Sequence, residues 1–497
     1  MRVVVAIMAL VAAILSVWQL EADRAGLTIG PLVVEGGTPA TLFLPSGTDK
    51  APVVIIAHGF AGSRQLMDPF ALTLAQAGYV VASFDFEGHG RNPRPMSGDV
   101  TSVEGTTQLL MNETARVARA ALSHPRADGR LAYLGHSMAS DIVVRQALAD
   151  PKGDAVVAVS MFSQAVTATE PRNLLIVAGA LETWLADEAL RAARLVDPKA
   201  EVNQTVGNPS VGLIRKAVVA PHVEHVGVLY SATSLQAARD WLDRSFGRQS
   251  DGPVAQRGGW IALLLVATVA LGWPLARALP KGAPLGRPQP DIKQFLIAAL
   301  LPAIVVPLVL WPFEIKLLPV LVADYLAVHL GLYGLITLGL LARWGALRGQ
   351  FTAKTWFIAA CVALFGIVVF GGVLDRYVAS FLPHPGRVPV IIGLAIGAVP
   401  FMLADAFVTG GGDDRLWRVV VARGAFLSSL GLAVALNFED LFFLIIILPV
   451  IVLFFLLFGT MSGWVGRQSH LPAGAGIGLG LVLAWSLGVT FPMFVSG

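Results

Sequence analysis

The chain has one cysteine, Cys361, in 497 residues. A single thiol excludes an intrachain disulfide and any zinc site built on cysteines. Charge is also scarce. Asp, Glu, Lys and Arg make up 14% of the chain, against roughly 25% in an ordinary soluble protein. The net charge is only +3, and no basic run interleaved with aromatics marks a nucleic-acid surface. P-loop, HExxH and dinucleotide motifs are missing, so phosphate cradles and zinc-protease chemistry have no foothold. No repeat recurs at solenoid spacing. What is abundant is apolar: 55% hydrophobic residues and a mean hydropathy of +0.69. That excludes disorder, collagen or a coiled coil for the bulk of the chain, and also a wholly soluble protein.

The apolar residues are unevenly spread. Arg2 is followed by Val3–Trp18 with no strong small-x-small cleavage site behind it. This reads as an uncleaved anchor over residues 1–20 rather than a removed signal peptide. Residues 27–247 keep the charge and short runs of a soluble domain. Residues 248–497 carry eight apolar stretches near 259–276, 294–311, 317–342, 355–374, 388–408, 418–437, 441–461 and 473–495. Each is long enough for a ~30 Å hydrocarbon core. With Arg2 placed in the cytoplasm and the spans alternating, the inside loops collect most of the cations. They hold Arg277, Lys281, Arg287 and Lys293, then Arg343, Arg348 and Lys354, then Arg415 and Arg418, and finally Arg467. The short outside loops hold Lys316, Arg376 and Arg387. This positive-inside bias puts the soluble domain and the C-terminus on the extracytoplasmic side. The Pro/Gly-rich linker Pro280–Pro290 and the stretch Gly410–Asp414 become cytoplasmic loops. A bacterial inner membrane fits the disulfide-free exterior.

Within 27–247, buried-type runs alternate with helical segments. Pro52–Phe60, Tyr79–Asn92, Leu131–Ser140, Ala155–Met161, Asn173–Glu182 and Ala217–Ser231 read as strands running into loops. Helices are expected near Met67–Ala77, Thr106–Ser123, up to Ala149, and Ser234–Phe246. Alternation of this kind implies an α/β domain with a doubly wound, mostly parallel sheet. The spans beyond it imply an all-α polytopic bundle.

Gly135-His136-Ser137-Met138-Ala139 sits between a strand and a helix, His58-Gly59 ends the first strand, and an acid and a histidine follow the later strands. Taken together this resembles the α/β-hydrolase superfamily over about 45% of the chain; Ala139 replaces the usual glycine but is still small. The resemblance implies Ser137 as nucleophile on a sharp strand-to-helix turn. It implies Glu182, where the family usually has Asp, as the acid, and His225 as the base, in the family's chain order. Asp187 and His222 are the alternatives for those two roles. The backbone N–H groups of Phe60 and Met138 would form the oxyanion hole. His58, and His89 in the loop after Asp85, read as structural.

The resemblance further implies a serine hydrolase of the lipase or esterase kind, with a carboxylic ester preferred over a thioester or amide. An acyltransferase on the same residues, or a transporter or sensor with a silent hydrolase-like domain, are the alternatives. No metal or cofactor is implied, and no nucleic-acid partner. The gap Phe162–Arg172 is too short for a helical cap. The pocket is therefore expected to be open or covered by the membrane domain, to face the outer leaflet and to take an acyl ester from there or nearby.

In the bundle half, ionisable groups inside spans suggest function by default. Asp324, Tyr325 and His329 in one span and Asp405 in another are the candidates for an intramembrane polar site. Interhelical packing is the plainer reading, as it is for Gly393 and Gly397.

Overall fold

The computed structural model describes residues 1–99, 103–282, 290–320, 322–412 and 416–495. Arg287, Asp413, Asp414 and Arg415, named above, and most of the linker Pro280–Pro290, lie outside the described residues. Nine strands form one sheet: β1 (Thr28–Leu32), β2 (Ala40–Leu44), β3 (Ala51–Ala57), β4 (Val80–Phe84), β5 (Ala127–His136), β6 (Gly153–Val159), β7 (Asn173–Gly179), β8 (Thr205–Asn208) and β9 (Leu213–Ala220). Their order across the sheet is β1-β2-β4-β3-β5-β6-β7-β9-β8. The six central strands, from β4 to β9, are parallel, and these are the six read from the sequence. Strands β1, β2 and β8 are antiparallel additions at the two edges. The sequence reading missed them because all three are only four or five residues long; β1 and β8 are also partly exposed, with Gly30, Pro31 and Gly207 interrupting any pattern.

The continuous apolar runs follow from burial on both faces. Every residue of β3 is buried. Its alternate residues Val53 and Ile55 enter a core with Val117, Val143 and Ala192 from helices Gln108–Leu122, Met138–Ala149 and Thr183–Arg194. Val54 and Ile56 point the other way, into a core with Phe70, Leu235 and Trp241 from helices Asp68–Gln76 and Ala232–Ser245. The period-two alternation of a strand thus feeds both layers.

Among the described residues nine helices are long and apolar enough to cross a membrane. They are Arg2–Ala22, Gly258–Ala276, Ile292–Leu310, Ala323–Arg343, Ala353–Tyr377, Pro385–Val408, Leu416–Leu436, Val450–Ser469 and Pro472–Thr490. Several boundaries differ from the sequence reading, and the stretch expected over 473–495 ends at Thr490. The stretch expected over 317–342 begins only at Ala323, because Pro319 interrupts the run before it. The stretch expected over 441–461 belongs to a helix that continues to Ser469. Helices pack closely where side chains are small: a Cβ on Gly397 would fall 1.9 Å from the carbonyl oxygen of Ala327.

Among the described residues, the hydrogen bonds and ion pairs that join the α/β domain to the helices lie near one set of ends. Arg24 pairs with Asp68 at 3.1 Å, Arg91 pairs with Asp375 at 2.5 Å, and Ser380 N–H donates to Ser63 Oγ at 2.9 Å. The chain after Thr490 runs beside Met96, with Met96 N–H donating to Met493 O at 2.8 Å and Val495 N–H to Met96 O at 2.7 Å. These are the ends that alternating spans place on one side. The described cations Lys281, Lys293, Arg343, Lys354 and Arg467 belong to the opposite ends.

Candidate active site

Between β5 and helix Met138–Ala149 the chain turns at Ser137 with φ 54° and ψ −120°. Positive φ strains a residue with a side chain by about 1–3 kcal/mol. It also lifts the serine clear of the sheet edge. The turn is possible only with small neighbours. A Cβ on Gly135 would lie 2.4 Å from Ala139 O, and one on Gly59 would lie 2.9 Å from Ser137 Cβ.

Three side chains from three strand ends meet there. Ser137 Oγ is 2.8 Å from His225 Nε2, and His225 Nδ1 is 2.5 Å from Glu182 Oε1. The second carboxylate oxygen, Oε2, accepts from Gly179 N–H at 2.7 Å and from Ser160 Oγ at 2.8 Å. An ionised carboxylate only accepts, so Nδ1 carries the imidazole proton and Nε2 is left bare toward Ser137. Burial alone would raise the Glu182 pKa. The hydrogen bonds from His225, Gly179 and Ser160 outweigh burial and hold it below the ordinary glutamate value. Glu182 is the cap residue before helix Thr183–Arg194 and closes a tight turn, its N–H donating to Gly179 O at 3.0 Å.

The alternatives stand apart from this line. Asp187 is exposed on the helix after Glu182, and His222 is exposed on the preceding turn with φ 60°. Met138 is the first residue of its helix, where backbone N–H groups lack intrahelical acceptors. Phe60 follows Gly59, whose α-carbon is close to Ser137, and its ring packs on His89. His58 is fully buried: Nδ1 donates to Gly59 O at 2.8 Å, and Nε2 accepts from Phe86 N–H at 3.1 Å. It thereby links the loops after β3 and β4. His89 donates from Nδ1 to Glu87 O at 2.9 Å. Burial pushes the pKa of both histidines down, that of His89 well down. Asp85 closes the same loops by accepting from the Arg64 guanidinium, from Arg64 N–H at 2.8 Å and from Arg91 N–H at 3.0 Å.

Two residues of the site escaped the sequence reading. Ser160 orients the carboxylate, and only its place at the end of β6 hinted at this. His136, the variable position before Ser137, donates from Nε2 to His225 O at 2.9 Å and so holds the loop of the base. Burial pushes its pKa down to about 3, with His225 adding to the effect, so it stays neutral. The loop Phe162–Arg172 contains no helix, and His225 is left partly open to solvent.

In the bundle the four polar candidates are not one site. Asp324 lies in the first turn of its helix and accepts from Tyr325 N–H at 2.7 Å and Leu317 N–H at 3.2 Å. It lines a cavity of about 770 Å³ with Trp311, Lys316 and Tyr325. His329 is deeper, 3.4 Å from Tyr325 Oη and 3.0 Å from Ser429 Oγ. Asp405 is elsewhere, in a two-point ion pair with Arg423 at 3.1 and 3.2 Å. Arg423 was not singled out from the sequence, because its partner lies 18 residues away on another helix.

Residues 48–216 match the family model described as Serine aminopeptidase, S33. A 57-residue segment is 37% identical to an Escherichia coli protein described as an uncharacterized 31.7 kDa protein in the traX-finO intergenic region. It covers 11% of this chain and 20% of that relative. Similar solved structures include a soluble variant of monoglyceride lipase from Saccharomyces cerevisiae, 13% identical with a TM-score of 0.32, covering 44% of this chain and 96% of that one. A predicted CIB-like hydrolase from Thermoplasma acidophilum is 15% identical with a TM-score of 0.33, covering 44% and 100%. Together with the strand order, the family match makes the amino-terminal domain an α/β-hydrolase domain, followed by a large helical part.

Proposed function

We propose that the protein is a membrane-embedded serine hydrolase that cleaves an acyl ester. The observation that carries the reading is the continuous line Glu182–His225–Ser137, with 2.5 and 2.8 Å links. In the reaction His225 Nε2 takes the Ser137 proton as Oγ attacks the ester carbonyl. Glu182 stabilises the imidazolium and does not take the proton itself. The N–H groups of Phe60 and Met138 receive the developing oxyanion. His225 then protonates the departing alcohol, and water, activated by the same imidazole, releases the acid from the acyl-enzyme. His136 and Ser160 hold the base and the acid in place.

The name of the matching family favours a second reading, an amide at a peptide amino terminus. A panel of p-nitrophenyl acyl esters and aminoacyl p-nitroanilides, offered to wild type and Ser137→Ala in nanodiscs, separates the two. The ester reading expects release from the esters alone, abolished by the substitution. Release from the anilides alone replaces ester with amide, and release that survives in Ser137→Ala refutes both.

A further inference from the structure

Among the exposed large apolar side chains of the α/β domain, four lie on the loops that carry the site, and they include its exposed aromatics. Leu181 is 67% exposed, Trp184 61%, Phe162 49% and Val226 46%. Among the described residues of 27–247 the other Trp and Phe side chains are buried, apart from the half-buried Phe60. Each exposed residue stands one or two positions from a residue of the site: Phe162 after Ser160, Leu181 and Trp184 around Glu182, Val226 after His225. Their loops are joined at two points. The Phe162 and Trp184 rings are 5.1 Å apart, and Leu181 N–H donates to Val223 O at 3.0 Å. Exposed aromatic and aliphatic side chains gathered on neighbouring loops of one domain mark a surface with an apolar partner.

The sheet identifies that partner. In a parallel sheet all carboxyl ends of the strands lie along one edge. The loops after β3 and β4 on that edge are the ones docked on the helix ends, through Ser63–Ser380, Arg91–Asp375 and Met96–Met493. The loops after β6, β7 and β9 leave the same edge and carry the apolar patch, which stays exposed among the described residues. The edge that meets the helix ends through the loops after β3 and β4 thus carries the apolar patch farther along, on the loops after β6, β7 and β9.

We propose that Phe162, Leu181, Trp184 and Val226 dip into the leaflet beside the bundle and hold the mouth of the Ser137 site on the lipid surface. Trp suits this depth because its ring is apolar and its N–H remains at the headgroups. Glu224, whose carboxylate accepts from Val226 N–H at 2.7 Å, borders the patch, so apolar burial rather than charge drives the contact. Resting on the hydrolase reading, the substrate is then an ester whose acyl chain stays in that leaflet while its carbonyl reaches Ser137. No cap is needed, since the bilayer itself supplies the apolar wall.

Nitroxide labels test the surface without turnover. Phe162→Cys and Trp184→Cys are made in a full-length Cys361→Ala chain, labelled and placed in nanodiscs. Leu148→Cys, exposed at the far end of helix Met138–Ala149, serves as the reference. Labels at 162 and 184 are expected to be more accessible to oxygen than to a water-soluble nickel chelate, and the label at 148 the reverse. Labels at 162 and 184 that match 148 overturn the proposal. The substrate arm is read as the ratio of turnover of a long-chain ester in vesicles to that of a water-soluble ester. Phe162→Asp combined with Trp184→Asp is expected to lower that ratio at least tenfold, and an unchanged ratio overturns lipid supply. Should wild type turn over neither ester, the hydrolase reading falls, while the nitroxide depths still decide the surface.

Discussion

Arg387, at the start of a bundle helix, donates from Nη2 to the carbonyl oxygen of Gly88 at 2.9 Å in the α/β domain. Its Nη1 donates to Gly488 O at 2.9 Å and Phe491 O at 2.7 Å at the end of another helix. One buried guanidinium thus ties two helix ends to the loop after β4. The next residue in that loop, His89, packs on His58 and Phe60. The bundle therefore braces the loop that carries a proposed oxyanion donor.

Arg387→Ala should accordingly lower kcat for a small soluble ester by roughly tenfold to a hundredfold, the range that a small misplacement near the chemistry produces. KM should change much less, because no substrate contact is removed. Steady-state kinetics of folded protein check this split, and Arg387→Lys should recover part of kcat.

Glu182→Gln should lower kcat by about 10⁴, since an amide can donate to Nδ1 and so favours the wrong tautomer. Ser160→Ala should act more mildly, costing about 1.5–3 kcal/mol of support for the carboxylate. Ester hydrolysis across pH checks the second variant. Glu182 has a lowered pKa, so its support is complete above the unfolded value and is lost as pH falls through the folded one. With one hydrogen bond fewer, that loss should begin at higher pH in Ser160→Ala.

Acid should destabilise the α/β domain well above the carboxylate range. His58, His89 and His136 are buried and their pKa values are lowered, that of His136 to about 3. Below about 6.5, the ordinary histidine value, the unfolded chain gains protons that the folded one refuses. Each such histidine weakens folding by roughly 1.4 kcal/mol per pH unit until its own folded pKa is reached. Protein heated at pH 7 down to 5 and then assayed at pH 7.5 should inactivate at progressively lower temperatures. His136→Asn should flatten the dependence.

Asp405 and Arg423 are paired inside the bundle, with little side-chain exposure. Breaking such a pair on one side leaves a buried charge and costs about 3–5 kcal/mol. Asp405→Leu should therefore lower the thermal midpoint markedly, and adding Arg423→Leu should restore much of it. Heat-induced aggregation of the detergent-solubilised protein measures both.

The parallel core was legible because strands buried on both faces must be continuously apolar, as β3 and β7 are. The edge strands were not, since β1 and β8 are short and bury little. The spans were legible from length and hydropathy, but the late start at Ala323 depended on Pro319 and turned Asp324 from an intramembrane group into one near a helix end. Ser137, Glu182 and His225 could be named because each follows a recognisable strand, and the structure brings the three within hydrogen-bond distance. Ser160 and His136 could not be named. Their roles depend on how the ends of β5, β6, β7 and β9 align across the sheet, which sequence spacing does not encode. The pairs Arg387–Gly88 and Asp405–Arg423 join segments by tertiary packing and left no local signal either.

The most direct test of the central claim is covalent labelling of the membrane-bound chain with a fluorophosphonate, followed by identification of the modified residue. The account predicts one adduct, on Ser137, lost in Ser137→Ala and strongly reduced in His225→Ala. A folded wild-type chain that takes no label, or one labelled at another serine, would contradict it.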